Sequence, residues 1–258
     1  MDYTIAQDFV LPSKGLIYNQ SVNPNVKIRS MTTAEEMKRL AYTETPYKLM
    51  SEIIDDCLVT KPGISAYDMC LGDYQFLLHR LRMVTYGEDY HIQPVCPFCG
   101  TPVPRVMNLS ELPVMQYDEE AEEKITDLLE FQLPVTKRKI KIKIQTPRML
   151  DEISTRKDEI TKKFPNLKGD ISLLLLVQSL IEKIDGEVLD VGKLETFVRQ
   201  LPMRDTNMII KKADKINSKI GIDTMIHNVC SNAGCGRKFN SSFRITPEFF
   251  GPSIDDWR

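Results

Sequence analysis

A chain of 258 residues has room for one large domain or two smaller ones, and for a core that closes without help from metal or disulfides. Hydrophobic residues at 42% and charged residues at 27% exclude disorder on composition, and a net charge of −2 with a pI near 6.0 excludes the overall basic character of a nucleic-acid-binding domain, local patches aside. The longest apolar run, 173–177, is far too short to cross a bilayer, and the start Met1-Asp2-Tyr3-Thr4 lacks the basic and apolar character of a signal peptide. A protein kept in a cytoplasm, with its six cysteines reduced, is expected.

In chain order, Phe9 to Tyr18 reads as extended segments around a Pro12-Ser13-Lys14-Gly15 turn, because proline fixes φ at one corner and glycine permits a positive φ at the other. Val26-Lys27-Ile28-Arg29 alternates apolar and charged residues, the pattern of a half-buried strand. Thr32-Thr33-Ala34-Glu35-Glu36 supplies an N-cap threonine with a glutamate three positions on, and the helix it opens is expected to run to about Tyr42. Pro46 begins a second helix in which Leu49, Ile53, Ile54 and Cys57 share one face, and Lys61-Pro62-Gly63 ends it. Asp73 is the expected N-cap of a third helix, which carries Phe76, Leu77, Arg80, Leu81 and Val84 and ends near Gly87.

Residues 102–109 read as a strand leaving Cys96-Pro97-Phe98-Cys99-Gly100, and Asp118-Glu119-Glu120-Ala121-Glu122-Glu123 as a solvated loop or helix start. Residues 131–135 and 138–144 form an expected hairpin around the basic turn at Thr136-Lys137-Arg138. The pattern then turns helical: one helix from Pro147 with Met149, Ile153 and Ile160, a strongly apolar buried one over 171–184, a short one over 194–201, and a last one over 203–220 before Gly221. Asp185-Gly186-Glu187 is a turn among them. Finally, 238–245 alternates as a strand behind Cys230-Ser231-Asn232-Ala233-Gly234-Cys235-Gly236.

Each cysteine pair has the form of a zinc knuckle, a tight turn on which two thiolates and backbone N–H groups converge, with a glycine just after the second cysteine to relieve it. Two knuckles make one tetrahedral site, so Cys96, Cys99, Cys230 and Cys235 are expected to bind a single structural Zn2+. Four thiolates leave no open coordination position, which implies stability and not catalysis. Cys99 and Cys230 lie 131 positions apart, against about 15–20 residues in an ordinary ribbon. The expected fold is therefore α+β: an N-terminal β/helical part with the first knuckle (1–109), an inserted domain with a β-hairpin and helices (110–228), and a second knuckle with a C-terminal strand (229–258) that completes a split zinc ribbon. His227, three residues before Cys230, is a weaker alternative ligand, and Cys57 and Cys70 are expected to act as small buried hydrophobes within helices.

No Gly-rich phosphate loop, GxSxG elbow or HExxH helix is present, and only His79, His91 and His227 offer ordinary histidine bases, so no enzyme and no small-molecule substrate is expected. Lys139, Lys141 and Lys143 fall on one face of their strand, with Ile140, Ile142 and Ile144 on the other. Protection of a sheet edge is the favoured reading of this face, and binding of phosphate or an acidic partner the other.

A family resemblance is carried by Leu11-Pro12-Ser13-Lys14-Gly15 with Tyr18, by the run from Val26 through Met31 to Glu36, by Asp73-Tyr74-Gln75-Phe76-Leu77-Leu78, by Leu81-Arg82-Met83-Val84-Thr85-Tyr86-Gly87, and by Tyr90 before Cys96-Pro97-Phe98-Cys99. Over about the first hundred residues the chain resembles the baseplate hub proteins of T4-like contractile-tailed bacteriophages. The resemblance implies a late protein that takes part in building the tail baseplate, as a hub component or as an assembly factor. It further implies other baseplate and tail proteins as partners, a place in the host cytoplasm during assembly or in the virion, and no catalytic residues; the residues themselves offer no membrane segment, and nucleic acid is the less favoured partner. The alternative reading is a nucleic-acid-binding zinc-ribbon protein.

Overall fold

The alternating Val26-Lys27-Ile28-Arg29 becomes the middle of the first sheet. In the computed structural model, which describes residues 4–120, 124–166, 169–243 and 247–250, β1 (Ala6–Val10) pairs antiparallel with β2 (Asn25–Arg29), Phe9 opposite Val26. Val26 and Ile28 turn inward and are almost fully buried. The intervening turn closes with Lys14 N–H donating to Leu11 O at 2.9 Å and Leu16 N–H to Ser13 O at 3.1 Å. Gly15 sits there at φ +74°, and a Cβ at that position would collide with the carbonyl oxygen of Val22.

Helix α1 (Thr33–Arg39) opens with the expected capping box between Thr32 and Glu35, but it ends at Arg39, short of Tyr42. The reason is burial: α1 has no buried residue, and Met37, Leu40 and Tyr42 all face solvent, so no apolar contact extends the last turn. Ion pairs hold it instead, Arg29–Glu35 at 2.7 Å and Arg39–Glu36 at 2.7 Å, with the Tyr86 hydroxyl donating to Glu36 at 3.1 Å. The Arg29 hydrogen bond lowers the Glu35 carboxyl from 4.5 to about 2. A lowered carboxylate contributes stability that is complete above the unfolded value and lost as pH falls, here between about 4.5 and 2. In thermal melts, the wild type is expected to lose its advantage over Glu35→Gln in that window; parallel pH profiles for the two proteins would refute it.

Helix α2 (Pro46–Cys57) has its proline in the first turn and buries Ile53, Ile54 and Cys57 as expected, then runs straight into β3 (Leu58–Thr60), which adds to β2. Helix α3 (Leu71–Tyr86) lies at the centre of the first core. Its N-cap is Cys70, whose Sγ accepts from Asp73 N–H at 3.4 Å, and not Asp73 itself. Asp73 is claimed by the N-terminal turn: its carboxylate accepts from Ser13 N–H at 2.9 Å, from the Ser13 hydroxyl and from the Tyr18 hydroxyl at 2.6 Å. Burial raises the Asp73 carboxyl despite these donors, and raises the Tyr18 hydroxyl strongly. Cys70 is thus a buried cap beside Tyr18, whereas Cys57 is fully buried at the end of α2.

The chain then forms a hairpin of β4 (Asp89–Ile92) and β5 (Arg105–Asn108), followed by the short β6 (Val114–Met115). Beyond it come α4 (Ile125–Leu129), β7 (Glu130–Gln132), β8 (Lys139–Ile142), α5 (Pro147–Lys163), α6 (Ser172–Leu180), β9 (Ile181–Ile184), α7 (Val191–Gln200) and α8 (Met203–Asn217). These elements surround a second core that includes Leu128, Leu133, Ile140, Val177, Leu180 and Ile209. The apolar stretch 171–184 is a helix only as far as Leu180. Ile181-Glu182-Lys183-Ile184 instead pairs with β8, Ile184 opposite Ile140 and Lys183 opposite Lys141, because an unpaired strand edge with matching apolar positions outweighs one more helical turn.

That pairing makes β8 the middle strand of β7-β8-β9 and corrects the edge reading for Lys139 and Lys141, while Lys143 lies one residue past the end of the strand. The alternation itself holds, with Ile140 and Ile142 buried and Lys141 3.1 Å from Glu182. Two further bounds shift: α7 starts at Val191, where Asp190 accepts from Lys193 N–H at 2.9 Å, and α8 stops at Asn217.

Two contacts lock the second core to the first. Asp151 of α5, 1% exposed, accepts from Lys48 N–H at 2.8 Å and Tyr47 N–H at 3.3 Å in the first turn of α2, and from the Tyr67 hydroxyl at 3.2 Å. The return strand β10 (Gly221–Ile222) pairs with β6, Gly221 opposite Met115, so the chain leaves and re-enters the first core side by side. Here Gly72 of α3 touches Ile220 so closely that a Cβ would collide with its carbonyl oxygen. Last, β11 (Met225–Val229) and β12 (Lys238–Ser242) form a hairpin, and the 3-10 turn Pro247–Phe250 brings Phe249 and Phe250 into the first core.

The fold is mixed α+β, with eight α-helices and several small sheets among the described residues. None of those helices is long and apolar enough to cross a membrane. Met1-Asp2-Tyr3, the Ala121-Glu122-Glu123 end of the acidic stretch, and Arg244-Ile245 of the expected last strand lie outside the described residues, while Asp118, Glu119 and Glu120 are exposed.

Candidate metal centre

Both cysteine turns sit at hairpin tips. The first closes the β4–β5 hairpin: Val103 N–H donates to Pro94 O, Cys96 N–H to Thr101 O and Gly100 N–H to Cys96 O, each at 2.9 Å, with Gly100 at φ +72°. The second closes β11–β12: Cys230 N–H donates to Arg237 O at 3.0 Å, and the N–H groups of Cys235 and Gly236 both reach Asn232 O. Each turn thus has a strand on both sides. Only the outgoing strands were expected, because Tyr90 to Val95 and Met225 to Val229 are short and carry weak turn signals next to the cysteines.

The two tips face each other. Cys96 Sγ lies 4.0 Å from Cys235 Sγ and Cys99 Sγ lies 3.5 Å from Cys230 Sγ, so each close pair joins one tip to the other. All four sulfurs fall within 4.8 Å of one another, and all are free thiols. A tetrahedral ion with Zn–S bonds of about 2.3 Å requires sulfurs about 3.8 Å apart, and the two observed separations bracket that value. The donor set and its geometry fit a four-thiolate ion.

Around it, Cys96, Cys230 and Phe239 form a small buried cluster with Val103 against them. Thr101 and Asn232 tie the tips together, Asn232 Nδ2 donating to Thr101 Oγ1 at 3.2 Å. The Arg237 guanidinium lies 4.9 Å over the Phe98 ring, and Arg105 donates to His227 O at 3.1 Å. The Cys99 thiol is pulled down to about 6 by hydrogen bonds from the Thr101 side chain and backbone. Cys230, although drawn down by the Asn232 amide, is pushed up to about 12 by desolvation and its neighbouring thiols. The thiolate is the form that takes up a soft cation, and Thr101 beside Cys99 favours it.

Sequence reasoning missed Thr101, Asn232, Phe98 and Arg237. Their contacts between the tips, Thr101 with Asn232 and Phe98 with Arg237, span more than a hundred residues, and nothing in the local spacing marks them. His227 does not join the sulfurs; its Nδ1 lies 2.9 Å from Asn240 Oδ1. His91 sits on β4, and His79 is buried in α3 against Phe249, pushed down to about 3 by burial and by Arg80 and Arg82, and therefore neutral.

A family model described as "T4 bacteriophage base plate protein" matches residues 6–251. No curated protein and no solved structure matches the chain.

Proposed function

Because this chain belongs to the T4 bacteriophage base plate protein family, we propose that it is a non-enzymatic tail protein, a component of the baseplate hub or a factor in its assembly. It acts through contacts with other baseplate and tail proteins. The family match over nearly the whole chain is the observation that carries this reading. The closed four-cysteine cluster agrees with it: one structural Zn2+ held by Cys96, Cys99, Cys230 and Cys235 clasps two hairpin tips and leaves no coordination site for a substrate. In the same reading, residues 110–228 are an insertion between the halves of a split ribbon, supported by the side-by-side departure and return of the chain at β6 and β10.

A nucleic-acid-binding ribbon gains little from the structure. Lys139 and Lys141 lie on a central strand, with Lys141 paired to Glu182 and opposite Glu130, and the chain carries a net charge of −2. The test is affinity purification of the tagged protein from infected cells, with mass spectrometry of both the assembly intermediates and the finished tails. Co-purification with baseplate proteins and no DNA retention at physiological salt is the expected result. Presence in finished tails identifies a hub component, and presence only in intermediates an assembly factor. DNA binding that falls steeply with salt, without tail proteins, would overturn the proposal.

A further inference from the structure

A cavity of about 420 Å3 opens between α5, α6, β9 and α7, far in sequence from the cysteines. Its walls are largely apolar, with Ile153, Leu175 and Ile184 contributing from three different elements. Three cations line it as well, Lys143, Arg156 and Lys183, against two carboxylates, Glu152 and Glu182. Glu182 is already held by Lys141, which lies outside the cavity. Neither Lys143 nor Lys183 pairs with a carboxylate among the described residues, so the cavity has a positive surplus. Gln178 also lines it; its side chain is 95% buried (5% exposed), and neither its amide oxygen nor its nitrogen has a hydrogen-bond partner. A buried amide left without partners costs stability, and its place in the cavity wall makes it a reporter of what enters.

We propose that this cavity binds an apolar chain that carries a carboxylate, the apolar part between Ile153, Leu175 and Ile184 and the carboxylate against Lys143 and Lys183. The volume lies within the range of small-ligand pockets, and an apolar interior with a few convergent polar groups is their usual composition. Two sources share this chemistry: a free alkanoate, and the C-terminus of a polypeptide that ends in an apolar residue.

The experiment titrates the full-length protein with octanoate, octanol and octylammonium, and with an acetylated tripeptide ending in leucine as either the free acid or the amide, followed by calorimetry and by NMR of the Gln178 amide and Ile184 methyls. Octanoate or the acid peptide is expected to bind saturably and shift both signals, with affinity reduced about tenfold in Lys143→Glu and in Lys183→Glu. Leu175→Trp, which fills the space, is expected to abolish binding while the melting curve remains cooperative. Tighter binding of the acid peptide assigns a polypeptide source, and tighter binding of octanoate a free acid. The proposal is overturned if neither acid binds saturably, or if octanol or octylammonium binds as well as octanoate.

Discussion

Replacing Cys96 or Cys230 by serine is expected to destabilise the protein by about 3 kcal/mol or more and to abolish its response to chelators. The two hairpins β4–β5 and β11–β12 belong to separate two-stranded sheets, and a lone hairpin is marginal in water. The apolar cluster at their tips is small, Cys96, Cys230 and Phe239 with Val103 and Cys235 against them, and the polar contacts beside it, Asn232 to Thr101 and Arg105 to His227 O, are exposed and add little. Cys96 and Cys230 are also the two most buried of the four, at 1% and 5% exposed, so a hydroxyl there lacks both the metal and solvent. Elemental analysis should find one zinc per chain in the wild type. A chelator should lower the wild-type melting temperature and leave the Cys96→Ser melt where the substitution has already put it. Absence of zinc, together with a wild-type melt indifferent to chelators, would sink the metal assignment.

The second large effect is expected at Arg82, fully buried in α3. Its Nη1 donates to Gly87 O at 2.7 Å and its Nε to Phe249 O at 3.1 Å, while the guanidinium lies 5.1 Å from the Tyr90 ring centroid and 5.6 Å from that of Phe249. One side chain therefore fixes the end of α3, the start of the β4–β5 hairpin and the Pro247–Phe250 turn. Arg82→Met keeps most of the volume but strands the buried carbonyl oxygen of Phe249, gives up the bond to the exposed Gly87 carbonyl and removes the cation from its aromatic surround, a loss of about 3 kcal/mol. Urea denaturation measures it, and a shift corresponding to less than about 1 kcal/mol would show that the carbonyls find other donors. Arg82→Lys should recover part of the loss, since one ammonium cannot reach both carbonyls with a guanidinium's geometry.

Much of the fold was legible in the residues themselves wherever the signal is local. The capping box at Thr32, the proline start of α2, the alternation of Val26 to Arg29 and the glycine of each cysteine turn depend on neighbours within a few positions, and each takes its expected form. The fold class and the grouping of the four cysteines likewise followed from short patterns. The misread elements share a different cause. Asp73 is a good N-cap by its type, but three donors from a turn sixty residues earlier bind its carboxylate, and Cys70 caps in its place. Ile181 to Ile184 fits a helix or a strand equally well, and the open edge of β8 decides for the strand. In deciding, it also turns Lys139 and Lys141 from an expected edge into part of an inner strand, with Lys143 just beyond its end.

Local patterns in the residues thus set which backbone each short stretch prefers and mark two thiol-bearing turns with the spacing of metal knuckles. That the turns meet tip to tip, with Cys96 near Cys235 and Cys99 near Cys230, comes from long-range packing, because it depends on β6 pairing with β10 and on Gly72 letting the chain return against α3. Local preference is set by sterics and hydrogen bonds within a few residues. A long-range contact is the outcome of a competition among all the partners the chain could bring to the same place, and the sequence names those partners without ranking them.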